Sequence, residues 1–252
     1  MIEHPVCSLS LCPFSVFKTM TAFVRSISPT FAQSVTDRLL TQRPILGELY
    51  FTSLADGRMA RETFVRSQRQ FYFAVRFFSR PMAALMSRMP DSSSRRTLMR
   101  NLAEEHGLDD AEDGGLDPAM AHDRTFLAFL ATLGVSQDEM CSETEGSEVR
   151  AFNLALLGAC FGESPSFAYA CLGAIEYAFA DISALLGKAV VDRGWIAASE
   201  LVHYKLHAEI DKRHAAEFFK EVGPDAAADA EAGVAFGLHI FARLYSELLR
   251  VR

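Results

Sequence analysis

Leu201-Val-His-Tyr-Lys-Leu-His-Ala-Glu-Ile-Asp-Lys-Arg-His-Ala-Ala-Glu-Phe-Phe219 is the stretch from which the fold can be read. As one helix, it puts His207, Asp211 and His214 at i, i+4 and i+7, on a single stripe. Leu206, Ile210 and Phe218 flank that stripe with apolar surface, and Lys205, Lys212, Arg213 and Glu217 lie on the opposite faces, so the stripe points inward. Two imidazoles and a carboxylate buried beside apolar neighbours are costly unless each finds a partner, and a bound cation satisfies all of them at once. The stretch is half of a metal site in a helical protein, and the remaining donors must come from other parts of the chain.

Composition agrees with an all-α fold. At 252 residues the chain can bury a sizeable core as one large domain or two small ones; half of it is apolar, and 20 residues are Phe. Nine Pro and 15 Gly are few for this length, and no segment alternates apolar and polar residues long enough to form a sheet. A net charge of -7 with no Lys/Arg cluster argues against a nucleic acid or an anionic membrane as partner and for a small molecule. Cys7, Cys12, Cys141, Cys160 and Cys171 show no CxxC spacing, so neither a disulfide framework nor a thiolate zinc site is indicated, which fits a reducing cytoplasm. Glu3 ahead of the first apolar stretch, with Pro5, Pro13 and Lys18 interrupting it, speaks against a secretory signal. No window approaches the ~20 uninterrupted apolar residues of a membrane span.

Along the chain, residues 1–30 read as an N-terminal extension, with Thr30 capping a helix from near Phe31. Ile45 to Leu54 continue the helical pattern up to a turn at Ala55-Asp-Gly-Arg58. From Ala60 one long helix is expected to carry Phe64, Phe71, Phe73, Phe77 and Phe78 in an apolar band edged by Arg66, Arg69 and Arg76. Those arginines form either a solvated edge or, for one of them, a grip on a substrate carboxylate. A helix from Arg95 to His106 puts Leu98, Leu102 and Glu105 at i, i+4 and i+7, with Glu104 about 100° round toward Arg100. Gly107 stops it, an acidic loop spans Leu108 to Asp117, and Pro118 starts a helix whose apolar face is led by His122. Helices follow over Val149 to Phe161 and from Ser166 to Val191. In the second, Glu176 has no cation among its sequence neighbours and needs a proton or a remote positive partner. His203 reads equally as a group behind the ligands or as surface, His239 reads as structural, and a last helix spans Asp225 to Leu249.

Glu105, His122, Glu176, His207, Asp211 and His214 therefore form a candidate set of three carboxylates and three imidazoles drawn from four helices. With no thiolate, the set suits iron or manganese better than structural zinc. Six protein donors exceed what one ion with an open position needs and fit two carboxylate-bridged ions inside a helical bundle. Ferritin-like bundles use Glu-x-x-His twice, whereas this spacing occurs once here, at Glu200 to His203, which points to a different scaffold.

Asn101-Leu-Ala-Glu-Glu-His-Gly107, followed by His122 and by Phe126 to Gly134, resembles a block of the haem-oxygenase-like diiron oxidases and oxygenases, also called iron-containing redox enzymes. His207-x-x-x-Asp211-x-x-His214-Ala215 is similar to that family's most diagnostic signature, and the resemblance runs over residues 45–222, with none for 1–44. Leu54 to Gln68 looks like the opening helices of the wider superfamily, which includes thiaminase-like and pyrroloquinoline-quinone-synthase-like proteins. The resemblance implies a seven-helix haem-oxygenase-like bundle, a single domain over residues 31–252, usually a homodimer. It implies two Fe(II) ions, with manganese at one site as the alternative, held by the six residues; the long loop before His122 leaves Glu104 as the alternative to Glu105. It further implies an O2-dependent non-haem diiron oxidoreductase of specialised metabolism, with O2 as co-substrate and room for an external electron donor. Such an enzyme oxidises a small amino-acid or carboxylate substrate by N-oxygenation, C–C cleavage or desaturation. Two other readings stand beside it: a diiron enzyme that consumes its own Tyr72 or Tyr177, and a non-catalytic metal-binding scaffold.

Overall fold

The computed structural model describes residues 30–108 and 115–251. The reading of residues 1–29 as an extension, and residues 109–114 of the acidic loop, lie outside the described residues. Among the described residues the chain forms eleven α-helices and no strand: α1 (Phe31–Gln42), α2 (Leu49–Ala55), α3 (Arg61–Val75), α4 (Ser79–Arg88), α5 (Arg96–Glu105), α6 (His122–Thr132), α7 (Gln137–Ser142), α8 (Ser147–Gly162), α9 (Pro165–Asp192), α10 (His203–Lys220) and α11 (Ala227–Leu248). Seven of these are 11 residues or longer. The expected all-α bundle is the fold observed.

Local chemistry sets the ends. Thr30 caps α1 by accepting from the Gln33 N–H at 3.2 Å. Ser136 and Glu139 cap α7 reciprocally, and Pro165 opens α9 behind the cap Ser164. The phenylalanine-rich helix expected to run on from Ala60 is instead two helices, α3 and α4, separated by a turn at residues 76–78. Pro81 is the reason: its ring would collide with the carbonyl of Phe77 in a continuous helix and it has no N–H to donate there. The chain answers with short-range bonds, Phe77 N to Ala74 O at 3.2 Å and Phe78 N to Val75 O at 3.2 Å. Pro118 likewise opens only a single 3-10 turn, Pro118–Met120, ahead of α6.

α9 is the axis of the bundle, with α10 and α11 packed along it. It is long and apolar enough to cross a membrane, yet 78% of that window is buried inside the fold, as a core helix requires. α11 comes close because Gly233 and Gly237 face it; a Cβ there would sit 2.3 Å from the Phe167 carbonyl oxygen and 2.7 Å from that of Cys171. Buried aromatics fill the space between layers, with Phe126, Phe129 and Tyr204 stacked edge to face, an arrangement worth about 0.5–1.5 kcal/mol per pair beyond burial.

One glycine places the site. Gly107 has φ of 94°, and a Cβ on it would fall 2.0 Å from the Asp117 carbonyl oxygen. The Asp117 N–H in turn donates to the Gly107 oxygen at 2.9 Å. The two ends of the long loop are thus pinned together, and α6 begins beside the end of α5 despite the residues between them.

Candidate metal centre

Glu104, Glu105, His122, Glu176, His203, His207, Asp211 and His214 are all buried, Asp211 and His203 completely. A layer of titratable groups inside a hydrocarbon core is destabilising unless charges are paired or replaced by protons. The contacts show how this chain does both. His122 Nδ1 lies 2.9 Å from Glu105 Oε1. The His122 ring meets the His207 ring at 4.4 Å between centroids, and His207 Nδ1 lies 2.9 Å from Asp211 Oδ1. Glu176, Asp211 and His214 each offer a ligand atom within 4.8 Å of the other two. The six candidate donors thus adjoin one another in one contiguous buried cluster on α5, α6, α9 and α10.

Burial alone would push the Glu105 carboxyl up, but the His122 imidazole beside it outweighs this and holds it below the ordinary range. His122 mirrors this: burial pulls its pKa down and the Glu105 carboxylate carries it above the usual imidazole value. Glu176 and Asp211 go the other way. Burial, joined for Glu176 by the negative neighbours Asp211 and Glu105, pushes Glu176 well up. Asp211 is raised well by burial and accepts a hydrogen bond from Glu176. The proton shared there occupies the electrostatic role a cation would otherwise take. His207 is kept neutral by burial and by the nearby His122.

Glu104 has a different part from Glu105. Its Oε2 accepts from His214 Nε2 at 2.6 Å and from Arg213 at 2.6 Å, and Arg100 reaches its Oε1 at 3.3 Å. Burial opposes ionisation, but His214 and Arg213 hold its pKa at about 2. An ionised Glu104 takes the Nε2 hydrogen of His214 and leaves Nδ1 bare toward Asp211, whose Oδ1 is 4.0 Å away. Arg213, placed by its helical angle on the solvent side of the stretch, in fact backs the site through Glu104. Glu104→Gln is therefore expected to weaken divalent-metal binding by about ten- to hundredfold while leaving the fold intact, read by competition with a chromophoric chelator.

A cavity of about 40 Å³ opens beside the cluster, walled by Phe71, Val75, Phe78, Phe152, Phe179 and Phe241 and touching Glu105, His122, Glu176, His203 and His207. None of the three arginines considered as a carboxylate grip lines it. Arg66 and Arg76 are exposed, Arg76 over the rings of Tyr72 and Phe73, and Arg69 pairs with Glu143 at 2.5 Å. Nor does either candidate self-modified tyrosine line it: Tyr72 packs against Phe126, and the Tyr177 ring lies under Lys212. His203, left open between surface and interior, is fully buried, whereas His239 is exposed. Sequence reasoning missed Glu104 as the holder of His214; the adjacent pair Glu104-Glu105 was visible, but Arg213, 109 residues on, was not predictably its partner.

A family profile described as iron-containing redox enzyme matches residues 66–246. Two curated relatives, each described as 4-aminobenzoate synthase, are 21% identical: one from Chlamydia muridarum over 195 residues, covering 77% of this chain and 78% of that protein, the other from Chlamydia trachomatis, covering 72% and 74%. Among solved structures, a CADD-like protein of unknown function from Nostoc punctiforme superposes with a TM-score of 0.70 at 14% identity, over 87% of this chain and 96% of that one. A TenA homolog from Pseudomonas syringae gives 0.67 at 18% identity over 88% and 93%. A domain with a heme oxygenase-like fold from Shewanella denitrificans gives 0.62 at 15% identity over 87% and 89%.

Proposed function

The chain belongs to the iron-containing redox enzyme family, and from that premise we propose that it is an O2-dependent diiron oxidoreductase acting on a small molecule. In this reading Glu105, His122, Glu176, His207, Asp211 and His214 hold two Fe(II) ions. The observation that carries it is the buried cluster itself, in which His207 Nε2 and His214 Nδ1 are buried without a hydrogen-bond partner among the described residues, beside the carboxyls of Glu176 and Asp211, whose pKa values burial pushes up. These are donors of the kind and number that two hard-to-borderline cations take. Bound Fe(II) would supply the electrons and open positions that O2 reduction requires.

The protein's own groups have separable tasks. Glu104 fixes the His214 tautomer, Asp211 orients His207, and the Glu176 proton leaves as positive charge arrives. The phenylalanine wall keeps water from the centre. The cavity exceeds the ~10–15 Å³ that one water needs and falls short of the ~150 Å³ that holds a benzene ring. It takes a diatomic gas or the end of a substrate, and a whole ring enters once wall side chains turn. Among the described residues no Lys or Arg lines the cavity, so an amino-acid or carboxylate substrate would meet its charge complement in the ions themselves. The reading extends to N-oxygenation, C–C cleavage or desaturation as outcomes, and to a homodimer in a reducing cytoplasm, in keeping with the free, buried thiols of Cys160 and Cys171.

An oxygen electrode tests this. The Fe(II)-loaded protein is offered amino acids, fatty acids and, because the relatives are 4-aminobenzoate synthases, small aromatic amines and acids. Oxygen uptake that requires both iron and one substrate class is expected; iron bound firmly with no uptake across the panel supports the non-catalytic scaffold instead.

A further inference from the structure

Among the described residues, three imidazole nitrogens are buried without a hydrogen-bond partner: His207 Nε2, His214 Nδ1 and His203 Nε2. The first two belong to the six-donor set and the third does not. His203 opens α10 and is completely buried. Its Nδ1 lies 2.9 Å from Thr125 Oγ1, and that hydroxyl donates to the His122 carbonyl oxygen at 3.1 Å. While the Thr125 hydroxyl donates to His122, its one hydrogen is used and it accepts from His203. In that arrangement the hydrogen of His203 sits on Nδ1, and Nε2 carries a bare lone pair. His207 is arranged alike, Nδ1 on Asp211 and Nε2 bare, and so is His214, with Nε2 on Glu104 and Nδ1 bare. One nitrogen tied to an oxygen and the other left unpaired is how proteins present an imidazole to a metal.

Position agrees. His203 and His207 stand at i and i+4 on α10 with ring centroids 4.3 Å apart, the spacing at which two helical histidines chelate one ion. Both line the same cavity as Glu105 and His122. Phe126 lies edge to face with the His203 ring at 4.8 Å, and no described group donates to its Nε2. We propose that His203 binds, through Nε2, the same divalent transition-metal ion as His207, giving the centre a fourth imidazole. This rests on the reading of the cluster as a metal centre.

The test uses the full-length protein loaded with Co(II) and labelled with 15N-histidine, observed by 1H NMR in water. Each Co(II)-bound imidazole with its second nitrogen protonated gives one strongly shifted exchangeable N–H signal. Signals from His122, His203, His207 and His214 are expected; His203→Phe removes one of them and weakens Co(II) binding at one site by about ten- to hundredfold. Thr125→Val, which keeps every donor but deletes the oxygen that sets the tautomer, weakens the same site by a smaller factor. Signals from His122, His207 and His214 alone in the wild type overturn the proposal, whether or not the variant folds, and leave the metal centre standing. No shifted imidazole signal at all in the wild type removes the metal centre and the proposal with it.

Discussion

Glu176→Met is expected to raise the melting temperature of the metal-free protein while abolishing tight binding of at least one metal ion. Glu176 is 4% exposed on the core helix α9, and without a cation it is forced to keep its proton by burial and by Asp211 and Glu105. Replacing buried ionic groups with apolar residues of similar volume is often neutral or stabilising by about 1–4 kcal/mol when no partner is stranded, and Asp211 keeps its contact with His207 Nδ1 at 2.9 Å. At this chain length each kcal/mol is about 2–4 °C in Tm. The same change deletes the carboxylate of the Glu176, Asp211 and His214 trio, and loss of a ligand weakens metal binding by more than about a hundredfold. Calorimetry with and without Co(II) reads both effects. A variant less stable than wild type without metal would mean that Glu176 serves packing; unchanged binding would remove it from the ligand set.

Metal binding should also become tighter as pH rises, by about tenfold per pH unit for each proton released. Glu176 and His122 have pKa values raised in the folded state and must lose protons to act as donors, whereas burial already keeps His207 neutral. The sign for stability follows. Glu176 and Asp211, raised above their ordinary values of 4.5 and 3.8, stabilise the metal-free fold at low pH and lose that contribution as pH climbs through their folded values. His203 and His207, depressed below 6.5, contribute above that value and lose it as pH falls. His122, raised above 6.5, contributes below that value and loses it as pH climbs through its folded value, so its contribution is still changing above about pH 6.5. The Tm gap between metal-loaded and metal-free protein is therefore expected to widen from pH 6.5 to 8.5. Titration calorimetry in two buffers of different ionisation heat measures the released protons directly. A gap that stays flat, with no proton release, would contradict the raised pKa values of His122 and Glu176.

What could be read from residues alone follows from what is local. The i, i+4, i+7 stripe of His207, Asp211 and His214 is a property of one helix, and α10 keeps all three buried as the spacing demands. Glu105 and Glu176 were legible for the same reason, each on the apolar face of its own helix. The break of the phenylalanine-rich helix at residues 76–78 was local too, since Pro81 announces it, and the apolar band of phenylalanines masked it. The rest depends on contacts between distant segments. The pinning of Gly107 to Asp117 that returns His122 to Glu105 is a backbone contact across a loop. The roles of Glu104 and His203 require Arg213 and Thr125 from other helices, and no periodicity reports which side chain a neighbouring helix will present. The cavity is assembled from α3, α8, α9 and α11, whose phenylalanines are, in sequence, indistinguishable from any other core positions.

Anaerobic titration of the full-length protein with Fe(II), followed by Mössbauer spectroscopy, addresses the centre itself. An end point of two Fe(II) per chain is expected, in two nitrogen- and oxygen-ligated environments, both altered by Glu176→Met. An end point at or below one Fe(II) per chain, or iron whose spectrum is indifferent to Glu176, would contradict it.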